Sequence, residues 1–399
     1  MKKCLILAAA ALVAFAACTK VETVEAPAQK VSFEVAKYMQ SKAETSLLSE
    51  ADANGSSINK FQTNAWYHSV NDGNQYFMKN VEINWKSAKN EWSSDIDYYW
   101  PKTGYVNFYS YAGTPAPTSY GTTAATEGTI TYTNAVINYN DNVLVADAAY
   151  GFHANAAQYH IDHADVKGVT TLFRHYLAKV AFNVSLRTTE EKKSATNYFK
   201  VEVLEASVKV SNKGTLTLTN ADPNTSRTAA APGTTALNPW TNANTANANV
   251  AWVPAAWNET SGSETVETIQ IVASPVEGKD MKALTLNLAK NAVIQTETDT
   301  VMLAMRSVMP QALTSNQVFY IKYKVSAYND ASTDPYSVET LEFTNPLTSF
   351  IGTSALTAWN KNTKYTYNVF IDPIASKITF DPAVEEWVNE EQNFNPWLN

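Results

Sequence analysis

Cysteine is almost missing from this sequence: Cys4 and Cys18 are the only two in 399 residues. If the leader holding Cys4 is removed, one thiol is left, and one cysteine cannot close an intramolecular disulfide. Buried apolar side chains must then supply the stability. Charge is scarce as well, at 17% of residues, and the balance is acidic, with 38 Asp and Glu against 30 Lys and Arg, a net charge of −8. A nucleic-acid binder would carry a basic patch or stripe, so nucleic acid is excluded as a partner. After the leader no apolar run reaches the roughly 20 residues that a spanning helix needs. There is no phosphate-cradling glycine loop, no nucleophile elbow and no paired metal motif. Glu385 and Glu386 are adjacent, so on a strand they point to opposite faces and do not suit general acid/base work. No catalytic residue, metal or cofactor is expected, and the chain reads as a non-enzyme.

What is present begins with the leader. Met1, Lys2 and Lys3 are followed by an apolar run from Leu5 to Phe15, then by Ala16 and Ala17 before Cys18. That is the anatomy of a cleaved secretory signal, with an apolar core too short to span a membrane. The spacing resembles a bacterial lipobox, in which the cysteine after the small residues receives acyl chains such as palmitate, although Phe15 stands where Leu or Val is usual. Residues 1–17 are therefore expected to be the signal peptide. Residues 18–30, with Glu22, Glu25 and Pro27, are expected to form a lipidated flexible leader that tethers the rest to the outer membrane. The plainer alternative is ordinary secretion with a free thiol.

Aromatics are plentiful, with 21 Tyr, 15 Phe and 10 Trp, and together with Thr and Val they favour strands. Val31 to Met39 alternates, with Val31, Phe33 and Val35 on one face and Ser32, Glu34 and Ala36 on the other, which predicts a first strand. A polar connection, 41–59, comes next. The sequence Asn71-Asp72-Gly73-Asn74 predicts a turn between two more strands. Further on, Val169 to Leu186 reads as one long strand. Tyr198 to Ser211 and Thr215 to Leu218 read as a hairpin turning at Asn212-Lys213-Gly214. Thr114–Thr126 and Asn220–Asn249 have loop composition, and no helix longer than a turn or two is expected. Short strands divided by turn signals make β-sandwiches, and the length asks for two, at 31–168 and 169–399. His160, Asp162, His163 and Asp165 have ligand chemistry, but a polar inter-domain loop is the plainer reading. Trp85, Trp92 and Trp100 could stack on sugar rings, though core packing is the commoner role.

Several segments then carry a likeness. Tyr98-Tyr99-Trp100-Pro101 before Gly104, Phe173 to Val180, Met309-Pro310-Gln311, and Ile378-Thr379-Phe380 with Trp387 resemble, in the same order, the fimbrillin-like lipoproteins of Bacteroidetes, subunits of type V pili. The resemblance implies an all-β fold of two tandem transthyretin-like β-sandwich domains, cell-surface export and no bond-breaking chemistry. It also implies a fimbrium built by donor-strand exchange and serving cell adhesion. A maturation protease cuts after the first strand, that strand leaves, and an extended C-terminal segment of another pilin subunit, of the same or a different kind, takes its place. Mapped here, Val31, Phe33 and Val35 lie on the displaced strand. The cut falls at Lys42-Ala43, where the family usually has Arg-Ala. Ile378, Phe380, Val384 and Trp387 are the donor-strand candidates. The alternatives are a tip or anchor subunit, or a monomeric surface lipoprotein that binds glycan or a host protein. Asp299-Thr300-Val301 looks like the O-glycosylation sequon of the same bacteria.

Overall fold

The computed structural model describes residues 30–35, 60–89, 91–153, 168–186, 197–222, 226–228, 250–272, 284–288, 301–302, 305–329, 333–349, 356–373 and 377–386. Its elements are strands, with two short 3-10 turns at Ala124–Thr126 and Leu347–Ser349 among the described residues. Among the described residues no helix is long and apolar enough to cross a membrane. The all-β class expected from the aromatic and β-branched composition is what is observed.

The first part of the chain contributes β1 (Phe33–Val35), β2 (Lys60–Ser69), β3 (Gly73–Lys86), β4 (Glu91–Ser94), β5 (Tyr105–Thr114), β6 (Ser119–Tyr120), β7 (Thr129–Val136), β8 (Asn142–Ala146), β9 (Ala149–Phe152), β10 (Val169–Thr171) and β11 (Phe173–His175). Nine of these form one sheet in the order β10-β1-β4-β3-β2-β5-β8-β11, with β9 also paired to β5. Ring contacts link strands that are distant in that order. Phe33 of β1 lies 5.6 Å from Phe108 of β5, and Phe61 of β2 lies 5.3 Å from Phe173 of β11. The sheet must therefore roll around one apolar face, and every residue of the core it encloses comes from the sheet or its edge. Along β5, Val106, Phe108 and Ala112 enter that core, while Tyr109 and Tyr111 enter a second one on the opposite face. A strand covered on both sides needs apolar residues at successive positions, and Tyr105 to Ala112 is buried throughout.

The rest supplies β12 (Ala178–Leu186), β13 (Asn197–Ser211), β14 (Lys213–Thr219), β15 (Val253–Pro254), β16 (Val266–Val272), β17 (Leu284–Leu288), β18 (Val301–Met302), β19 (Arg306–Val308), β20 (Gln311–Ala312), β21 (Val318–Asn329), β22 (Ser337–Pro346), β23 (Ala358–Trp359), β24 (Thr363–Asp372) and β25 (Lys377–Glu386). Two sheets, β18-β12-β24-β25 and β16-β13-β21-β22, face each other across a third core. Phe182 stacks 4.8 Å from Phe319 and 5.1 Å from Tyr367, which joins the two layers. On the outer face Lys322 stands opposite Glu342 and Lys324 opposite Glu202, each as an ion pair. The small sheet β15-β14-β7-β6 draws strands from both sides of Gly168 and covers the second core.

Two expectations are corrected. The run from Val169 to Leu186 is three strands, because each part pairs elsewhere: β10 with β1, β11 with β8, and β12 with β24. Leu172 and Tyr176, between them, bond to Asp147 and Val143 through the backbone, at 2.9 Å each. Both are buried, so hydropathy carries no sign of the breaks. The hairpin through Gly214 does not form either. β13 pairs with β16, β17 and β21, whereas β14 crosses to β7. Gly214 serves close packing there, since a Cβ on it would lie 2.7 Å from Met309 Sδ and 2.8 Å from the Val253 carbonyl oxygen. Near this crossing the Gln311 side chain imitates a neighbouring strand, accepting from the Ser211 N–H at 3.0 Å and donating to its carbonyl at 3.1 Å.

One buried carboxylate ties the loop before β7 to the rolled sheet. Glu127 Oε1 accepts from His68 Nε2 at 2.9 Å, Asn107 Nδ2 at 3.0 Å and the Tyr109 hydroxyl at 2.9 Å. Burial opposes its ionisation, but these hydrogen bonds outweigh burial and hold the carboxyl below its usual 4.5. A carboxyl held low in the folded state stabilises it fully above the unfolded value, and that contribution fades as pH falls through the folded value. Glu127→Gln is therefore expected to cost about 1.5–3 kcal/mol at pH 7. In urea titrations the gap to the parent should narrow on going from pH 7 to pH 3.5.

Candidate functional site

The alternation read in the sequence is realised from Val31 to Val35, and the rest of that expected strand, Ala36 to Met39, lies outside the described residues. Val31, Phe33 and Val35 are 4%, 3% and 5% exposed, while Ser32 and Glu34 are half-buried on the other face. β1 lies between two strands, parallel to β10 with Phe33 opposite Val169, and antiparallel to β4 with Phe33 opposite Trp92. The Val169 N–H donates to the Ser32 carbonyl at 2.8 Å, and the Val31 N–H donates to the Tyr98 carbonyl at 2.8 Å. The ring of Phe33 meets Phe61 at 5.5 Å and Phe108 at 5.6 Å, both edge-on, and Phe61 in turn meets Trp92 at 5.7 Å.

Gly168 makes the approach of β10 possible. It has φ +122°, and a Cβ there would stand 2.6 Å from the Ser32 carbonyl oxygen. The mouth of the slot is polar. Lys30 forms an ion pair with Asp97 and lies 5.9 Å from the centre of the Tyr99 ring. The hydrogen bond to Asp97 raises the pKa of its amine. Both partners are about half exposed, so such a pair adds little stability and acts mainly as a positional mark. A small cleft lined by Lys30, Val31, Ser32, Glu91 and Asp97 brings solvent to this end of β1. Burying three side chains of the kind that β1 contributes stabilises by roughly 5–9 kcal/mol, at about 1.5–3 each. An empty slot would lose that and would leave backbone groups of β4 and β10 without strand partners.

β25, which holds three of the four donor-strand candidates, pairs antiparallel with β24 over its whole length, from Lys377 opposite Asp372 to Glu386 opposite Thr363. Ile378 stands opposite Ile371, Phe380 opposite Val369 and Val384 opposite Tyr365. Its other edge has no strand partner among the described residues. Cys18, Lys42, Ala43, Trp387, Thr300 and the segment with His160, Asp162, His163 and Asp165 lie outside the described residues. His175, which flanks that segment in sequence, is buried with Nδ1 3.0 Å from Asn142 Oδ1. Burial and then the charge of Lys179 push its pKa down to about 3, so it is a neutral core group. Trp92 is buried, and Trp85 and Trp100 are half-buried against the rolled core, which leaves no open face of three indoles for sugar stacking. Phe173, Leu177 and Val180, from the segment that carries the likeness, are core contacts. The walls of the slot, Phe61, Trp92, Phe108, Tyr98 and Val169, come from four strands and a loop. No local pattern in the sequence joins them.

No protein-family model matches the chain, and a search of curated proteins finds no match. Similar solved structures include a fimbrial protein from Bacteroides vulgatus, at 15% identity and a TM-score of 0.45, covering 90% of this chain and 99% of that one. The fimbrial anchor protein Mfa2 from Porphyromonas gingivalis matches at 10% identity and a TM-score of 0.30, covering 90% of this chain and 97% of that one.

Phe33→Ala is expected to lower stability by about 3–5 kcal/mol, through lost burial and the cavity left among Phe61, Phe108 and Trp92. Gly168→Ala should also destabilise, because β10 must back away from Ser32. Denaturant unfolding followed by tryptophan fluorescence measures both, and a Phe33→Ala loss below about 1 kcal/mol would show that β1 does not close the core.

Proposed function

We infer that the chain is a structural subunit of a cell-surface pilus that supports adhesion, and that it assembles by giving up β1 and accepting a strand from another subunit. The observation that carries this reading is the placement of β1. Three apolar side chains, Val31 just before β1 and Phe33 and Val35 on it, complete the rolled core between β4 and β10, yet the strand is joined to β2 only through the connection 36–59. A core closed by a detachable piece is what strand complementation requires, since an incoming strand recovers both the apolar burial and the backbone pairing. In this reading the signal is removed before Cys18, the lipid on Cys18 holds the subunit at the outer membrane, and a protease cuts at Lys42-Ala43. The partners are other subunits, alike or different, and the work is binding between strands rather than catalysis.

A second reading, a tip or anchor subunit of the same pilus, draws on the pairing of β25 with β24 along its whole length. A subunit that kept this hairpin closed would accept a strand without offering β25.

Cutting the purified, unlipidated chain with a Lys-selective protease tests the assembly. The expected outcome is one cut near Lys42, release of the fragment containing β1, and a concentration-dependent ladder on native gels. A cut chain that keeps β1 and stays monomeric would overturn the reading. In cells, Cys18→Ala is expected to abolish labelling by a palmitate analogue and to move the protein out of the outer-membrane fraction.

A further inference from the structure

β1 has a near copy in the same chain. Lys30-Val31-Ser32-Phe33-Glu34-Val35-Ala36 and Lys377-Ile378-Thr379-Phe380-Asp381-Pro382-Ala383 agree in order: the lysine, the phenylalanine and the alanine are identical, and Val/Ile, Ser/Thr and Glu/Asp differ by little. The second stretch is the first part of β25, an edge strand. A third stretch, Lys179 to Val184, has the same lysine-to-phenylalanine spacing but carries Ala181 and Asn183 where the others have a hydroxyl and an acid. It also lies inside its sheet, between β24 on one side and β18 and β19 on the other. The full pattern and a free edge coincide only in β25 among the described strands.

We propose that β25 of one copy enters the β1 slot of a second copy in a single register, with Lys377 in the place of Lys30 and Phe380 in the place of Phe33. This rests on the strand-exchange reading and adds to its donor candidates a choice among them, a direction and an alignment. In that alignment Phe380 meets Phe61, Phe108 and Trp92, Ile378 replaces Val31, and the Thr379 carbonyl accepts the Val169 N–H that Ser32 accepts now. Lys377 takes over the ion pair with Asp97 at the mouth. The donor runs parallel to β10, as β1 does.

The one dissimilar position fits as well. Pro382 falls at Val35, and proline has no N–H to donate. Along β1 the Val31 N–H points toward the β4 side and the Ser32 carbonyl toward β10. Alternation then turns the Val35 N–H to the β4 side. Among the described residues β1 pairs with β4 only at Phe33 opposite Trp92, and that pairing uses no N–H of Val35 that a proline would remove. In its present place on the edge strand β25, Pro382 is also where a sheet tolerates a proline.

The test uses the full chain with a site-specific protease sequence inserted between Lys42 and Ala43. After cutting, synthetic peptides are added in excess: 377–386 with a blocked N-terminus, its Phe380→Ala form, and 387–399. Release of the β1 fragment is read by mass spectrometry, and a carbodiimide then joins any carboxylate in contact with the single lysine of the peptide. The expected results are displacement by 377–386, at least about tenfold weaker displacement by the Phe380→Ala form, and an amide between Asp97 and Lys377. Displacement by 387–399 alone would overturn this donor while leaving strand exchange standing. Coupling of Lys377 to a carboxylate other than Asp97 would overturn the register. A cut chain that holds its β1 fragment against every peptide would overturn both the donor and the strand-exchange reading.

Discussion

The ring of Phe33 sits where the rolled sheet closes. Phe61 from β2 and Phe108 from β5 both turn edges toward it, and Trp92 from β4 packs against Phe61 from the side. That ring links β1 to β2 and β5, strands that do not neighbour it in the sheet. Backbone geometry is fitted to the same purpose, because β10 can come close enough to hold β1 only where Gly168 has no side chain. Much of the remaining structure depends on having this core closed. The tyrosine-rich core on the other face uses the same β5, so its position depends on how the rolled sheet is set.

The described residues contain no cysteine, and their fold relies on three apolar cores and on polar groups placed to serve them. Glu127 gathers three donors from β2 and β5, Gln311 completes the pairing of a strand end, and Arg174 meets Asp147 in a two-pronged contact at 2.8–3.1 Å. Each satisfies groups that would be costly to bury alone. The outer face of the second sandwich, by contrast, alternates Lys and Glu across strands, as expected of a surface that faces water.

What could be read in advance depended on how local the cause was. Val31, Phe33 and Val35 were legible because a period of two is written in consecutive residues, and so was the hairpin between β2 and β3, whose turn residues state their conformation. The division of 169–186 into three strands was not, because Leu172, Phe173, Tyr176 and Leu177 are apolar throughout and the breaks come from partners far away in sequence. Gly214 misled for a related reason: a glycine beside a turn-like pair suggests a reversal, while its use here is to admit Met309. The slot itself shows both cases. Its occupant is contiguous and could be seen, whereas its walls come from separated strands and a loop and could not.

β12 and β24 run side by side for eight register pairs, from Lys179 beside Lys364 to Leu186 beside Ile371. The hydrogen bond between Asn183 and Asn368 on this seam spans 185 residues of chain. Contacts of that separation make folding slow, because a long loop must close before they contribute anything. A ribosome delivers β12 well before β24, so the apolar residues of β12 wait without their partner until nearly the whole chain has emerged. The sheet of the second sandwich therefore cannot close until β24 has been made, and until then β12 is an uncovered edge open to wrong pairing.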